Sequence, residues 1–399
     1  MDMLTTLILS FSLAFILSFV STPLVRKMAF KMGAVDVPDG KRRIHKKSTP
    51  LIGGLAIFYG TFISLLCFYR PIDETLRGIL LGSIIIVAMG IVDDTVELKP
   101  KKKLLFQLLA AVVVALNGIK ITYLSVPDFI IKGGILPLGW ASIPVTVIWI
   151  VAVTNAVNLI DGLDGLAAGV SSIATFSLFF IAILLREPTV AIISAALAGA
   201  CIGFLPFNFN PAKIFMGDTG AQFLGFMLSI ICIQGLFKGY LIISFVAPFL
   251  ILGLPIFDTL FAIVRRVWNG KPVMTADRGH LHHKLMDMGF SQKQAVAILY
   301  IISTLLGLTA VVMVDRGAQQ AIWIVVSILI VAVFSIYITI HREKTEKQSG
   351  DVVFGSGKKG ENIQKTEILT EENTDKKTED NTEDNIKNSG TEKGEEKND

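Results

Sequence analysis

Asp93 and Asp94 stand side by side in "VDDTVELKPKKK", followed closely by Lys99 and by Lys101, Lys102 and Lys103. In "NAVNLIDGLDGLAAG" the polar residues Asn155, Asn158, Asp161 and Asp164 recur at three-residue spacing. That spacing turns successive positions by about 60°, so the first three can line one side of a helix end. Asp164 drifts off that side, and Gly162 and Gly165 let the backbone break and bring it back. "FNFNPAKIFMGDTG" crowds Asn208, Asn210, Lys213, Phe215 and Asp218 into one loop, and "DRGHLHHK" supplies Arg278, His280, His282, His283 and Lys284. Carboxylates suit a hard divalent cation such as Mg²⁺, which is held by one or two of them plus substrate phosphates. Basic loops suit phosphates, and an aromatic ring beside Asn and Asp suits a base. Together these groups point to phosphoryl transfer.

Each stretch also has a plainer reading. Asp93 and Asp94 fall at a helix C-terminus, where the macrodipole disfavours negative charge, and the lysines that follow could neutralise them as a solvated charge run. The Asp-Gly pairs could cap a helix and make a turn, and Asp218 stands at a normal N-cap position. The histidines could hold Zn²⁺, bind phosphate, or belong to a basic loop drawn to anionic lipid headgroups; the absence of nearby Cys and the cationic surroundings disfavour Zn²⁺. His45, in "RRIHKKSTP", shares the phosphate and headgroup readings. Asp258, about two turns before Arg265, reads as the partner of a basic or polar neighbour and not as a catalytic group.

The elements that must carry these groups are membrane helices. The chain is 52% hydrophobic and 18% charged, with a mean hydropathy of +0.62, which excludes an ordinary soluble domain. About 20 apolar residues cross a bilayer core. On that template the spans are 3–22, 51–69, 77–92, 104–120, 141–160, 165–185, 189–206, 220–237, 241–264, 294–314 and 321–340. The expected fold is therefore all-α and polytopic, with about eleven transmembrane helices around a cytoplasmic-face cleft. The first apolar run lacks a basic leader segment and reads as a span, not a cleaved signal. Loops 23–50, 93–103, 207–219 and 265–293 hold 19 Lys+Arg against 7 in the alternate loops. This excess puts the N-terminus outside and the polar stretches on one cytoplasmic face. Within 121–139, weak alternation around Gly133 and Gly134 predicts a short β-hairpin on the outer face. Residues 341–399 carry 11 Lys+Arg and 16 Asp+Glu with almost no apolar residues, and read as a disordered acidic cytoplasmic tail behind a 1–340 membrane domain. Cys67, Cys201 and Cys232 read as small buried hydrophobes. A polytopic chain with such residues could also be an ion-coupled transporter or lipid flippase, but transport predicts polar groups near the membrane midplane, not at cytoplasmic helix ends.

"VDD", "NAVNLIDGLDGLAAG", "NPAKIFMGDTGA" and "DRGHLHHKL", in that order among many spans, resemble the polyprenyl-phosphate N-acetylhexosamine-1-phosphate transferases over roughly residues 1–340. Leu281 separates His280 from His282 and His283, where the phospho-MurNAc-pentapeptide branch carries an unbroken His run; Asn210 likewise replaces a frequent His of that branch. Both point to the branch that uses UDP-GlcNAc, with the pentapeptide branch as the alternative. The resemblance implies transfer of GlcNAc-1-phosphate from UDP-GlcNAc to undecaprenyl phosphate, with Mg²⁺ (Mn²⁺ as a substitute) and release of UMP. Such a reaction starts a surface glycan such as teichoic acid or O-antigen. It further implies a bacterial plasma-membrane homodimer that acts on no nucleic acid.

Carried over by position, the resemblance makes Asp218 a Mg²⁺ ligand with Asp94 and Asp161 near the metal, and Asp93 the candidate base on the lipid phosphate. Asp164 would bond the uridine and Phe215 stack on the uracil. Lys103 and Asn208 would assist at the phosphates, and Asn158 would shape the substrate wall. His280, His282, His283, His45 and Arg278 would contact the diphosphate and sugar.

Overall fold

In lipid a backbone must satisfy its own N–H and C=O groups, so the long apolar stretches of this chain fold as helices. The computed structural model describes residues 2–36, 48–126, 131–132, 134–236, 242–270, 279–317 and 319–320. These lie in one compact unit, Met1–Val325. The expected last span, 321–340, and the tail lie outside the described residues, as do His45 and Arg278.

Helix α1, Met3–Met32, runs past its expected end at 22 and stops at Gly33, whose left-handed φ of 74° closes the last turn. A short antiparallel pair follows, β1 (Val35–Asp36) with β2 (Thr49–Pro50). Helix α2 is Gly54–Phe68, and α3, Glu74–Val96, starts on Asp73, whose carboxylate accepts the Leu76 N–H at 2.8 Å. Proline at the first position opens α4, Pro100–Leu116. Strands β3 (Tyr123–Ser125) and β4 (Ile135–Pro137) form the expected hairpin, with Leu124 opposite Leu136. After a single turn at Gly139–Ala141 come α5 (Ser142–Leu159), α6 (Leu166–Leu184), α7 (Pro188–Asn208) and α8 (Gly217–Gly235).

The stretch 241–264 is not one continuous helix. It forms α9, Ile242–Ile251, and α10, Gly253–Trp268, with a break at Leu252. Pro255 has no N–H to return to Ile251, and Gly253 adds a flexible position, so a continuous helix would lose a bond at the junction. Beyond the break the sequence changes from apolar all round to two-faced. Phe257, Leu260, Phe261, Val264 and Trp268 are exposed, whereas Asp258, Ala262 and Arg266 are buried. The short α11, Leu281–Asp287, was not anticipated, and α12, Gln292–Arg316, begins on a reciprocal Ser291–Gln294 capping box.

Among the described residues, six helices are long and apolar enough to cross a bilayer: Met3–Met32, Glu74–Val96, Gly139–Leu159, Leu166–Leu184, Pro188–Asn208 and Gln292–Arg316. Helix α8 is the centre of the packing. It lies against α2, α3, α5 and α6, and every residue from Thr219 to Gly235 is buried. Around it, α1 packs on α2 and α7, and α12 on α6 and α9. Cys201 and Cys232 are buried as expected; Cys67 is exposed, because its side of α2 faces outward.

Candidate active site

Polar stretches that are far apart in sequence meet around one cavity of ≈ 940 Å³. Helix ends build its walls. Asp94, Asn158 and Asn208 come from the last turns of α3, α5 and α7, and Asp218 and Gln292 from the first turns of α8 and α12. The loops add Asp161, Asp164 and Phe215, and α11 adds His283.

On the carboxylate side, Asp94 is fully engaged. Its Oδ1 accepts the Asp218 N–H at 2.8 Å, and its Oδ2 accepts the Thr219 N–H at 3.0 Å and the Thr219 hydroxyl at 2.6 Å. The amides are among those left without partners at the start of α8, so a carboxylate from α3 caps α8 and meets the positive end of its dipole. Asp218 therefore does not cap its own helix. Its Oδ1 accepts from Asn158 Nδ2 at 2.8 Å and its Oδ2 from Lys103 Nζ at 2.7 Å. Lys103 also pairs with Asp93, whose Oδ1 takes the Leu98 N–H at 2.7 Å. Asp93 is buried, and neither it nor Lys103 is among the residues lining the cavity.

Asp161 is the contrast. It faces the cavity from the α5–α6 loop, and among the described residues no donor or cation pairs with its side chain. Burial, and then the charges of Asp218, Asp94 and Asp164, push its carboxyl up to about 8. The loop is possible because Gly165 takes a left-handed φ of 77° before α6 starts. Asp164, in the same loop, accepts from Asn210 Nδ2 at 2.9 Å and the Ala212 N–H at 3.0 Å, and Asn210 also donates to Gln292 Oε1 at 2.7 Å. Asn208 is buried and donates to the Ile214 carbonyl at 3.0 Å, fixing the loop that presents Phe215. The main chain of that loop is pinned to the β2 side, with Phe215 N–H on Pro50 O and Gly53 N–H on Phe215 O, both at 2.9 Å.

The three histidines part company. His280 Nδ1 lies 2.8 Å from Asp258 Oδ2, and Asp258 Oδ1 accepts the Leu281 N–H, so Asp258 has the partner expected of it and anchors the start of α11. His282 is buried, with its ring against Gly162 where a side chain would collide. Burial, then the neighbouring His283, push its pKa down to about 4, so the ring is neutral. Only His283 of the three lines the cavity.

The sequence did not reveal three cavity residues able to do chemistry, Arg26, Asp36 and Gln292, or the capping role of Asp94. Arg26 sits on α1, beyond the span end that hydropathy indicated, and served only as a marker of orientation. Its alternation with apolar neighbours in a longer helix was the available signal. Lys213 joins it on the cavity wall, giving a cationic complement to Asp161 and Asp218.

The carboxylate-bearing core of this geometry falls inside a match to the glycosyl transferase family 4 model, over residues 76–236. A probable undecaprenyl-phosphate N-acetylglucosaminyl 1-phosphate transferase of Bacillus subtilis is 39% identical over 339 residues, covering 85% of this chain and 92% of that one. The chain belongs to this family of polyprenyl-phosphate aminosugar-1-phosphate transferases. A decaprenyl-phosphate N-acetylglucosaminephosphotransferase of Mycobacterium tuberculosis is 33% identical, over 72% of this chain and 78% of its own length. A phospho-N-acetylmuramoyl-pentapeptide-transferase of Halalkalibacterium halodurans is also 33% identical, over 77% of this chain and 96% of its own. The family match ends at residue 236, before the histidines, so that segment rests on the longer pairwise similarity.

Proposed function

We propose that this protein transfers GlcNAc-1-phosphate from UDP-GlcNAc to undecaprenyl phosphate, forming undecaprenyl-diphospho-GlcNAc and UMP at the cytoplasmic face of a bacterial membrane. The observation that carries the reading is the single cavity that unites Asp161 and Asp218 with Arg26, Lys213 and His283, in a chain of this family. Acidic groups for a metal and cationic groups for a diphosphate are what such a transfer needs.

The donor set fits Mg²⁺. Burial and the charges of Asp218, Asp94 and Asp164 disfavour the ionised form of Asp161, a repulsion that a divalent cation would relieve. Mg²⁺ is ordinarily held by one or two carboxylates and completed by substrate phosphates. Asp161 and Asp218 would hold it; bound Mg²⁺ or Mn²⁺ would neutralise charge developing on the diphosphate. Arg26, Lys213 and His283 support the donor phosphates. Asn158 and Lys103 hold Asp218 in place, Asp93 holds Lys103, and Asp94 holds the turn that carries Asp218. Asp164 and Phe215 receive the uridine. The acceptor phosphate, a dianion at neutral pH, attacks the phosphorus bearing the sugar in line, and UMP leaves in the same step.

The same reading places the N-terminus outside, the tail and cavity inside, and the chain in a homodimer with about eleven crossings. One assay tests the function: purified protein, undecaprenyl phosphate and radiolabelled UDP-GlcNAc, UDP-GalNAc or UDP-MurNAc-pentapeptide, with and without Mg²⁺. Metal-dependent lipid-linked GlcNAc is expected. Preference for the pentapeptide donor would move the protein to the other branch, and no product from any donor would defeat the enzyme reading. Release of UMP from donor and protein alone, in amounts stoichiometric with enzyme, would replace single displacement by a phosphorylated-enzyme route.

A further inference from the structure

Beneath the candidate site lies a second polar layer that the transfer chemistry does not use. Gln107 Nε2 donates to Gln222 Oε1 at 2.9 Å and to Asn155 Oδ1 at 3.2 Å, and Asn155 Nδ2 donates back to Gln107 Oε1 at 2.8 Å. Gln107 and Gln222 are almost wholly buried, with 2% and 1% of their surface exposed. Three helices, α4, α5 and α8, each contribute one amide. The same three helices contribute Lys103, Asn158 and Asp218 to the layer above, which is also joined by hydrogen bonds. On every helix the amide stands one turn further into the helix than its site residue: Lys103 to Gln107, Asn158 to Asn155, and Asp218 to Gln222.

This matched stacking has a physical consequence. In lipid, apolar side chains pack nearly as well against lipid tails as against another helix, so they do little to choose one axial register over another. A directional amide network does choose. Gln107 is the hub: sliding α4 by a turn, about 5.4 Å, would part it from both partners, and sliding α5 or α8 would part it from one, leaving buried donors and acceptors unpaired in each case. Such a slide would carry the site residue above by the same distance. We infer that Gln107, Asn155 and Gln222 form a register lock, a set of positioning residues that holds Lys103 and Asn158 on the two oxygens of Asp218. The inference rests on the proposed transferase reading for what the site does, but the geometry of the lock is independent of the donor sugar.

The test compares hydrogen bonding with volume. Gln107→Leu and Gln222→Leu keep bulk and remove the amide. The expected result is folded protein that melts below wild type, because the partner amides lose a bond, with kcat per folded molecule reduced about tenfold to a hundredfold and KM for the donor within about twofold, since displacement by about 1 Å at a reacting site costs on that order. Wild-type kcat in both variants, or a fall that only tracks the folded fraction, would overturn the lock. Should the leucine variants not fold, the amides can be exchanged between helices. Gln107→Asn and Asn155→Gln should each lower kcat, and the double exchange, which conserves total side-chain length across α4 and α5, should recover it; no recovery overturns the proposal. Mn²⁺ binding to the same preparations, read by electron paramagnetic resonance, needs no donor. If wild type fails to use UDP-GlcNAc yet binds Mn²⁺, and Gln107→Leu weakens that binding several-fold, the transferase reading fails while the lock stands. Unaltered binding and unaltered turnover together would remove the lock alone.

Discussion

The carboxylate wall and the histidine wall of the cavity solve the same problem with different physics. On the first, adjacent aspartates divide into one that pairs with Lys103 and one that caps α8, and both are held by long buried helices. On the second, His280 is tied to Asp258 and His282 is neutral and buried, so a seven-residue helix delivers one imidazole, His283, to the cavity. In each wall most of the motif positions a few groups. The difference is charge: the carboxylate wall gathers acidic residues that demand counter-charge, whereas the histidine wall removes charge by burial. Changes on the first should therefore strike electrostatics and chemistry together, and changes on the second should separate them.

The largest effect belongs to Asp161→Asn. No hydrogen bond among the described residues is lost, and a carboxyl that burial and like charges oppose is replaced by a neutral amide, so the melting temperature should hold or rise while turnover falls by about 10³-fold, the scale on which transition-state charge is stabilised. A fall of less than tenfold would remove Asp161 from the metal end. Asp94→Ala comes next and should behave oppositely. It strips three donors at the start of α8 of their acceptor, so stability should drop by about 3 kcal/mol, with turnover down about 10²-fold as Asp218 loosens. A variant that loses turnover but melts like wild type would make Asp94 a direct participant instead of a cap. His283→Gln should then cost about tenfold in kcat/KM for the donor, with a smaller fall in melting temperature than Asp94→Ala, because its side chain lines the cavity. If its melting temperature falls as far as that of Asp94→Ala, the contrast between the walls is wrong.

How far the sequence reveals this arrangement depends on the distance over which each interaction acts. Asp161 and Asp164 were legible because polar residues at membrane depth are costly and glycine marks the break between them. The pairing of Lys103 with Asp93 was legible locally, but its second partner was not: Asp218 is 115 positions away, and only the fold joins them. The cap on α8 could not be read locally, since the sequence offers Asp218 for that place and the actual acceptor, Asp94, comes from α3. Hydropathy found the helices but ran α9 and α10 together, because averaging over a window hides the loss of one backbone bond at Pro255. The histidine motif looked like three equivalent contacts; burial, which a sequence does not display, makes them three different ones.

The smallest effect is also the cleanest probe of the histidine wall. His282 is 3% exposed, and its ring stays neutral down to about 4, against an ordinary value of 6.5 in the unfolded chain. Between those values the unfolded state binds a proton that the folded state refuses, so acidification favours unfolding. The stability contributed is fully present above pH 6.5 and is lost as pH falls towards 4, by up to about 3 kcal/mol for one group. His282→Gln removes that titration and leaves the rest of the wall unchanged in both proteins. Its melting temperature should accordingly decline less than that of wild type between pH 7.5 and 4.5, and its turnover at neutral pH should suffer less than that of His283→Gln. Parallel melting curves for the two proteins would mean that His282 accepts a proton in the folded state, and the uncharged wall would have to be abandoned.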